Sequence, residues 1–388
     1  MKIILAIILT ASLGVIASAD DERIGVDATI NGKSARLAFD TGTSGALVLF
    51  KQGAERLGVT FTNPPADYHP APGEVAVGVT EETELTLWGT TNVTCFNVFD
   101  IPNSITNLIT DFDGVIGWGE VNDNSLFIDA AAHSVKLLDY VPAEANAWTK
   151  VLLRSESSIL TLELPGKDGK EMLVALDTGD VQGITLSRQM WDEWKAGRTN
   201  QPVTLTAYYT PGAGLVATEE MWAKEFRLGP LLLTDVPVKE AAGDELVDGS
   251  EHLDARLGLA ALKRVDLIVD GLFGIAYLQP KKTPAPAYEY NRLGAVFAPR
   301  NLQSDDLVAH VLDGSPAYEA GIRNGDILLK VDGHDVTNWR TANGKNHDPW
   351  AQPAGTKLKL TLKRGDKTFT TTAVLRNILQ PDSTNNSN

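Results

Sequence analysis

The first 280 residues alternate short apolar runs with polar turn signals, a pattern that predicts a protein built mainly of β-strands. Residues 25–30 and 35–39 flank Asn31-Gly32, and an Asn-Gly pair between two such runs is a strong hairpin signal. A second hairpin is predicted from residues 159–164 and 172–176, around a Gly-Lys-Asp-Gly turn.

Each predicted hairpin ends in the same tripeptide. Asp40-Thr41-Gly42 follows the first hairpin and Asp177-Thr178-Gly179 follows the second, 137 residues later. A β-prone run follows each tripeptide, at residues 46–50 and 183–186, and an Asp-x-x-x-Gly element ends each half, at residues 113–117 and 254–258. This order predicts an internal duplication of two β-rich halves around a pseudo-twofold axis.

Two aspartates on opposed tight turns are a chemically informative pair. A glycine after Asp-Thr allows the two loops to approach closely, and Thr41 and Thr178 can donate their hydroxyls across the axis. Two adjacent carboxylates cannot both ionise easily, so the pair holds one proton over a broad acidic range. One member can then accept a proton from water while the other donates to a substrate carbonyl.

These motifs carry a resemblance to a known family. Residues 20–280 resemble a two-lobed aspartic peptidase of the pepsin-like and retropepsin-like group, because Ala38 to Ser44 matches its active-site loop and Val115-Ile116-Gly117 matches its supporting element. The resemblance implies duplicated β-barrel lobes with Asp40 and Asp177 as the catalytic pair. It implies further that Thr41, Gly42, Thr178 and Gly179 support the loops, and that Tyr68 and Tyr208 mark candidate flaps.

Two residues depart from the family pattern. Asp180 stands where a small or hydroxyl residue is usual, and Arg256 stands where an apolar one is expected. A like charge at Asp180 is expected to raise the pKa of the dyad and to move its working range toward neutral pH. A catalytically inactive, peptide-binding scaffold therefore stays open as the alternative to an endopeptidase.

A third unit follows a Pro-rich linker at residues 281–288. Residues 289–378 resemble a PDZ domain of the bacterial type, through the stretches 293–297, 315–322 and 324–333. The resemblance implies that a peptide C-terminus binds at Leu293, Gly294, Ala295 and Val296, by adding a strand whose carboxylate meets backbone N–H groups. The alternative is a domain that only packs against the two lobes.

The N-terminus predicts export. Met1-Lys2, an apolar segment from Ile3 to Ile16 and Ala17-Ser18-Ala19 form a cleavable signal peptide cut after Ala19, too short for a comfortable membrane span. We therefore expect a periplasmic or secreted bacterial protein. The predicted domains are the signal peptide (1–19), two lobes (20–150 and 151–280), the linker, the PDZ domain and a disordered tail (379–388).

Composition narrows the partners of the 388-residue chain. The net charge of −16, from 50 acidic and 34 basic residues, argues against binding nucleic acid or anionic membranes. One cysteine excludes an internal disulfide, and six scattered histidines carry no metal motif. We expect no metal and no cofactor, and peptides or unfolded proteins as partners; the sequence leaves the oligomeric state open.

Overall fold

The computed structural model describes residues 23–43, 47–62, 75–100, 112–166, 169–210, 214–242, 245–248, 251–283, 287–300, 304–337 and 349–379. The protein is 50% strand and 11% helix, which confirms the prediction of a mainly β fold. The predicted signal peptide, the tail from residue 380 and Tyr68 lie outside the described residues.

The first sheet contains nine strands among the described residues. They are β1 (Gly25–Ile30), β2 (Lys33–Asp40), β3 (Leu47–Phe50), β4 (Phe61–Thr62), β5 (Val75–Thr80), β6 (Thr83–Leu87), β7 (Thr90–Thr94), β8 (Asn97–Asp100) and β9 (Gly114–Gly117), with helix α1 (Lys51–Leu57) after β3. Their order in space is β4-β5-β8-β3-β9-β2-β1-β6-β7. Asn31 and Gly32 both have positive φ, at 47° and 76°, and join β1 to β2 in the predicted hairpin.

The second sheet is larger. Its chain segment holds β10 (Ser125–Asp129), β11 (Ser134–Leu138), β12 (Thr149–Leu153), β13 (Thr161–Pro165), β14 (Glu171–Leu176), β15 (Ile184–Leu186), β16 (Val203–Thr210), β17 (Gly214–Leu228), β18 (Leu231–Glu240), β19 (Val247–Asp248), β20 (Glu251–His252), β21 (Ala255–Leu257), β22 (Val265–Asp270) and β23 (Ile275–Pro280), with helices α2 (Arg188–Ala196) and α3 (Leu259–Leu262). The sheet runs β11-β10-β22-β23-β12-β13-β14-β21-β15-β18-β17-β16, and β19 and β20 pair separately.

The second sheet contains strands from both sides of residue 150, the predicted lobe boundary. Strands β10 and β11 precede that residue, yet β10 pairs with β22 of the second sheet. This pairing joins residues 145 positions apart, because Ser125 lies opposite Asp270. A boundary drawn from the spacing of the Asp-Thr-Gly motifs cannot detect such a long-range partner.

Strand pairing around the two Asp-Thr-Gly loops repeats in both sheets. Strand β2 runs parallel to β9, which is antiparallel to β3, and β3 runs parallel to β8. In the same way β14 runs parallel to β21, which is antiparallel to β15, and β15 runs parallel to β18. A helix follows β3 and β15 alike. The duplication expected from the sequence is therefore present in the strand topology.

The two sheets share one hydrophobic core. Phe39 and Ile116 of the first sheet and Leu176 and Leu257 of the second are almost fully buried and belong to the same apolar cluster. The strands that precede the two aspartates therefore rest on a common packed interior. Such burial holds both loops firmly, because close-packed interiors permit little displacement.

The third unit has its own sheet and core. Strands β24 (Ala295–Ala298), β25 (Leu307–Val311), β26 (Ile327–Val331), β28 (Lys357–Arg364) and β29 (Lys367–Val374) follow one another in space, β27 (His334–Asp335) pairs with β26, and helix α4 (Pro316–Glu319) follows β25. Phe297 and Trp350 pack in its core with ring centroids 5.3 Å apart. The guanidinium of Arg364 holds the buried Asp326 through two contacts of 2.7 Å.

Candidate active site

The structure brings the two predicted aspartates together. Asp40 ends β2 and Asp177 directly follows β14, and both are buried, with 7% and 1% exposure. Their side chains are in hydrogen-bonding contact. A Cβ atom on Gly42 would lie 2.3 Å from Asp177 Cγ, and one on Gly179 would lie 2.4 Å from Asp40 Cγ. Each carboxyl group thus sits against the glycine of the opposite loop, where only glycine fits.

The two threonines join the loops across the axis. Thr41 N donates to Thr178 Oγ1 at 3.0 Å, and Thr178 N donates to Thr41 Oγ1 at 3.1 Å. Each hydroxyl in turn donates to a backbone carbonyl of the other half, Thr41 to Leu176 O at 2.6 Å and Thr178 to Phe39 O at 2.7 Å. Both amide groups and both hydroxyls therefore have an acceptor. A buried donor that loses its acceptor lowers the free energy of unfolding.

Asp40 accepts hydrogen bonds from two neutral groups of its own loop. Gly42 N donates to its Oδ1 at 2.9 Å and Thr43 Oγ1 donates to its Oδ2 at 2.7 Å. Burial raises the pKa of Asp40 above its ordinary value, and the hydrogen bonds from Thr43 and Gly42 oppose that rise. Asp40 therefore tends to keep a proton at a pH where an exposed aspartate has lost it.

Asp177 has a different environment. Its Oδ1 accepts from Gly179 N at 2.9 Å and from Asp180 N at 3.1 Å. At the position that matches Thr43, the side chain is the carboxylate of Asp180 rather than a hydroxyl. The guanidinium of Arg256 approaches the outer oxygen, with Nε 3.7 Å from Asp177 Oδ2. The two halves of the site thus differ in charge although their backbones match.

The two departures from the family pattern form an ion pair. Arg256 Nε lies 3.1 Å from Asp180 Oδ2, and Arg256 Nη2 contacts Glu245 Oε1, which also accepts from Lys239 Nζ at 2.9 Å. All four residues are at most 5% exposed. Burial raises the pKa of Asp180, and the Arg256 cation opposes that rise. Arg256 therefore partly balances the charge of Asp180, and the expected shift of the dyad toward neutral pH stays a prediction.

The pairing of strands explains why Arg256 reaches the site. The parallel register of β14 and β21 sets Ala175 opposite Arg256, as the register of β2 and β9 sets Ala38 opposite Val115. Sequence reasoning noted Arg256 only as a departure. Its partnership with Asp180 depends on that register, and the acidic residue at position 180 was the one signal that could have indicated it.

The candidate flap residues are only partly described. Tyr68 lies outside the described residues. Tyr208 lies on β16, opposite Val216 of β17, in a long hairpin that leaves the second sheet at its edge. A hairpin at a sheet edge is the geometry expected of a flap, and the role of Tyr208 stays a prediction.

The predicted peptide-binding loop of the third unit is already occupied by a side chain. Leu293 N and Gly294 N, two of its backbone donors, donate to Asn291 Oδ1 at 2.9 and 3.1 Å. Asn291 Nδ2 donates to Ala295 O at 2.7 Å. The amide oxygen of Asn291 thus pairs with two of the N–H groups in the predicted peptide-binding stretch, whose role stays a prediction. The sequence analysis did not identify Asn291.

Strand β24 packs against the candidate flap hairpin. Val296 lies in one apolar cluster with Leu205 and Ala207 of β16. Thr204 Oγ1 on the same strand donates to the backbone oxygen of Asn291 at 2.6 Å. The third unit therefore contacts the second sheet through the strand and loop that were predicted to bind peptide.

Among the described residues, no group of three or more histidine, cysteine or acidic side chains is placed to hold a metal ion. Within the same residues, no helix has the length and apolar character needed to cross a membrane.

Comparison with known proteins identifies one part of the chain. Residues 307–364 match the family model of the PDZ domain. The match runs from β25 to the end of β28, so a PDZ domain is present at this place. It does not extend to the halves that carry Asp40 and Asp177, and it begins after Val296. No curated protein matches the chain.

Proposed function

We propose that the chain is an aspartic endopeptidase that hydrolyses peptide bonds with Asp40 and Asp177. The observation that carries the proposal is the buried contact of these two carboxyl groups, each held against the glycine of the opposite loop. Contact between two such acids favours a shared proton, because ionising both places like charges side by side.

A singly protonated pair supplies both halves of amide hydrolysis. The ionised carboxylate takes a proton from a water molecule as the water oxygen attacks the peptide carbon, and the protonated carboxyl donates to the carbonyl oxygen. The tetrahedral intermediate then collapses as a proton passes to the leaving nitrogen and the C–N bond breaks. The cross-loop hydrogen bonds of Thr41 and Thr178 hold the two acids in place during these transfers.

The PDZ domain supports peptide binding as a second property of the chain. Its presence fits a protein whose substrates are peptides or unfolded proteins, delivered by their C-terminal ends. The loop at residues 293–296 is the proposed site for the peptide carboxylate, which has to displace Asn291 Oδ1 from Leu293 N and Gly294 N.

Export is part of the same proposal. The signal-peptide pattern of residues 1–19 is the support for it, and acidic or neutral extracytoplasmic surroundings suit a carboxyl dyad. Expression in a bacterium, followed by fractionation and N-terminal mass analysis, tests it. A mature protein that begins at Asp20 outside the cytoplasm supports export, and an uncut cytoplasmic chain contradicts it.

A cleavage assay tests the catalytic proposal. The purified protein is incubated with denatured casein or a peptide library from pH 3.5 to 7.5, values that span roughly the range in which a carboxyl dyad holds one proton, and fragments are identified by mass spectrometry. Asp40→Asn and Asp177→Asn, made separately, are each expected to abolish cleavage. Asp27→Asn, on the exposed side of β1, is the matched control and should leave cleavage unchanged.

The same assay separates the alternative function. Binding of peptides without any cleavage, in wild type and variants alike, identifies a catalytically inactive peptide-binding scaffold. Cleavage that survives in either Asp40→Asn or Asp177→Asn contradicts the dyad and points to a nucleophile elsewhere.

A further inference from the structure

The two acids of the site have different partners, and the difference is one of charge. Thr43 supplies a neutral hydroxyl to the outer oxygen of Asp40 at 2.7 Å. The corresponding outer oxygen of Asp177 faces the Arg256 guanidinium at 3.7 Å. An arginine side chain is protonated at any pH that a folded protein tolerates. Its positive charge therefore acts on Asp177 throughout the acidic and neutral range.

The buried surroundings strengthen the effect of this cation. Arg256 and Asp177 are 5% and 1% exposed, so water screens their interaction little. Asp180 shares Arg256 and reduces its net effect on Asp177, whereas Glu245 is divided between Arg256 and Lys239. Arg256 Nε lies within ion-pair distance of both carboxylates, 3.7 Å from Asp177 Oδ2 and 3.1 Å from Asp180 Oδ2.

We propose that Arg256 is a positioning residue that makes Asp177 the ionised member of the pair and leaves the shared proton on Asp40. Asp177 is then the base that takes a proton from water, and Asp40 is the acid that donates to the substrate carbonyl. This assignment rests on the proposed peptidase function, but the location of the proton can be measured without it.

Charged groups lie near both acids, and the closest cation is the guanidinium beside Asp177. Asp40 faces the hydroxyl of Thr43 and lies within the field of Arg23, and the side-chain hydrogen bond with Asp177 also lowers its pKa. Burial raises the pKa of Asp40 more strongly than its hydrogen bonds and Arg23 lower it. Asp177 faces Asp180 and Arg256, and the positive charge of Lys239 lowers the pKa of Asp180. A cation therefore approaches Asp177 at the distance of an ion pair, whereas Asp40 has hydrogen bonds from neutral groups.

Carbon-13 NMR of aspartate carboxyl groups tests the proposal directly on the wild-type protein. Resonances are assigned by their loss in Asp40→Asn and Asp177→Asn. We expect the Asp177 signal to follow the titration step at lower pH and the Asp40 signal to follow the step at higher pH. The reverse order, or equal participation of both signals in each step, overturns the proposal.

Variants at position 256 test whether Arg256 causes the low pKa expected for Asp177. In Arg256→Gln the lower step is expected to move up by about 1–3 pH units, the size of the effect of an arginine on a neighbouring aspartate. Arg256→Lys keeps the charge and should restore most of the wild-type value. Arg188→Gln, which removes an exposed arginine of the same half, is the control and should change neither step. A titration of Arg256→Gln identical to wild type contradicts the role of Arg256.

The rate profile connects the proton location to catalysis. If the wild type cleaves peptides, the acid limb of kcat/KM should move upward in Arg256→Gln and recover in Arg256→Lys. If the wild type cleaves no peptide while its NMR titration shows the expected order, the peptidase proposal fails and the charge asymmetry stands. If the wild type cleaves peptides but titrates in the reverse order, the peptidase proposal stands and the proposed role of Arg256 fails.

Discussion

At the scale of single residues, the site depends on two positions that tolerate no side chain. A methyl group on Gly42 or Gly179 would lie within 2.4 Å of the carboxyl carbon of the opposite aspartate, far inside van der Waals contact. The close approach explains why Asp-Thr-Gly, and not merely Asp-Thr, occurs in both halves. A side chain at either position has to push the two aspartates apart or shift a loop. The hydrogen bonds between Thr41 and Thr178 hold both loops in place.

Alanine substitutions test this close approach. Gly42→Ala and Gly179→Ala are each expected to lower the free energy of unfolding by about 1–3 kcal/mol, the usual cost of overpacking, and to abolish the activity proposed for the dyad. Chemical denaturation measures the first effect. Gly197→Ala is the control, since no atom lies within 4 Å of its added methyl group and its φ is −80°. Equal stability of all three variants contradicts the tight packing of the loops.

At the scale of elements, the long strands β17 and β18 bury a carboxylic acid, Glu220, beside Tyr288 of the segment that leads into the PDZ domain. Glu220 is 2% exposed, lies opposite Lys239 in the strand register, and accepts from Tyr288 Oη at 2.8 Å. Burial raises the pKa of Glu220 from 4.5 to about 7, with the Tyr288 hydrogen bond opposing the rise. The acid is therefore protonated in the folded protein at mildly acidic pH.

This shift predicts a pH dependence of stability with a defined sign. Between pH 4.5 and about 7 the folded state keeps a proton on Glu220 that the unfolded state has released, so the free energy of unfolding falls as the pH rises. Glu220→Gln keeps an acceptor for Tyr288 and removes the ionisation. It should be more stable than wild type at pH 7.5, by up to about 3 kcal/mol, and equal to it near pH 4.

Thermal denaturation at both pH values measures this difference. Glu225→Gln, an exposed position on the same strand, is the control and should follow the wild type. A Glu220→Gln variant whose stability relative to wild type is the same at both pH values contradicts the raised pKa.

Local and distant signals contributed unequally to what the sequence predicted. The hairpin at Asn31-Gly32 and the Asp-Thr-Gly loops follow from a few adjacent residues, and the structure contains both the hairpin and the repeated strand pairing. The ion pair of Asp180 with Arg256 joins residues on different strands through the β14–β21 register. Such a pair is invisible to local patterns, so each member appeared in the sequence as an isolated departure.

The same limit applies to the third unit. The sequence predicted the PDZ domain from its own motifs, and the family match confirms it at residues 307–364. The position of Asn291 Oδ1 on the loop amides is a local turn, because it joins residues two and three positions apart, and asparagine favours such turns. The contact of β24 with β16, in contrast, depends on how the unit meets the second sheet. No periodicity or motif within residues 289–378 contains that information.

At the scale of the whole molecule, the peptide-binding strand proposed for the PDZ domain and the candidate flap hairpin are packed together. Thr204 of β16 holds the backbone oxygen of Asn291, and Asn291 occupies the amides of Leu293 and Gly294. A peptide carboxylate that takes these amides has to move Asn291 and so disturb β16. We therefore expect binding at the PDZ domain and events at the dyad to be coupled, and coupling of this kind is reciprocal.

Removing the Thr204 hydroxyl tests this coupling. Thr204→Val preserves shape and removes the hydrogen bond to Asn291, so a peptide with a free apolar C-terminus should bind about two- to tenfold more tightly, as expected from a bond that contributes about 0.5–1.5 kcal/mol. Fluorescence anisotropy measures the affinity. Thr206→Val on the same strand is the control variant, and a C-terminally amidated peptide is the control ligand. Unchanged or weaker binding in Thr204→Val contradicts the coupling.

The central claim, that Asp40 and Asp177 together hydrolyse peptide bonds with water, is tested most directly by cleavage in oxygen-18 water. New peptide C-termini are counted by mass spectrometry for the wild type, Asp40→Asn, Asp177→Asn and the control Asp27→Asn. The account predicts oxygen-18 in the new carboxyl groups made by wild type and Asp27→Asn, and no new C-termini from the other two. Labelled C-termini produced by Asp40→Asn or Asp177→Asn contradict it. The absence of labelled C-termini from all four proteins contradicts it as well.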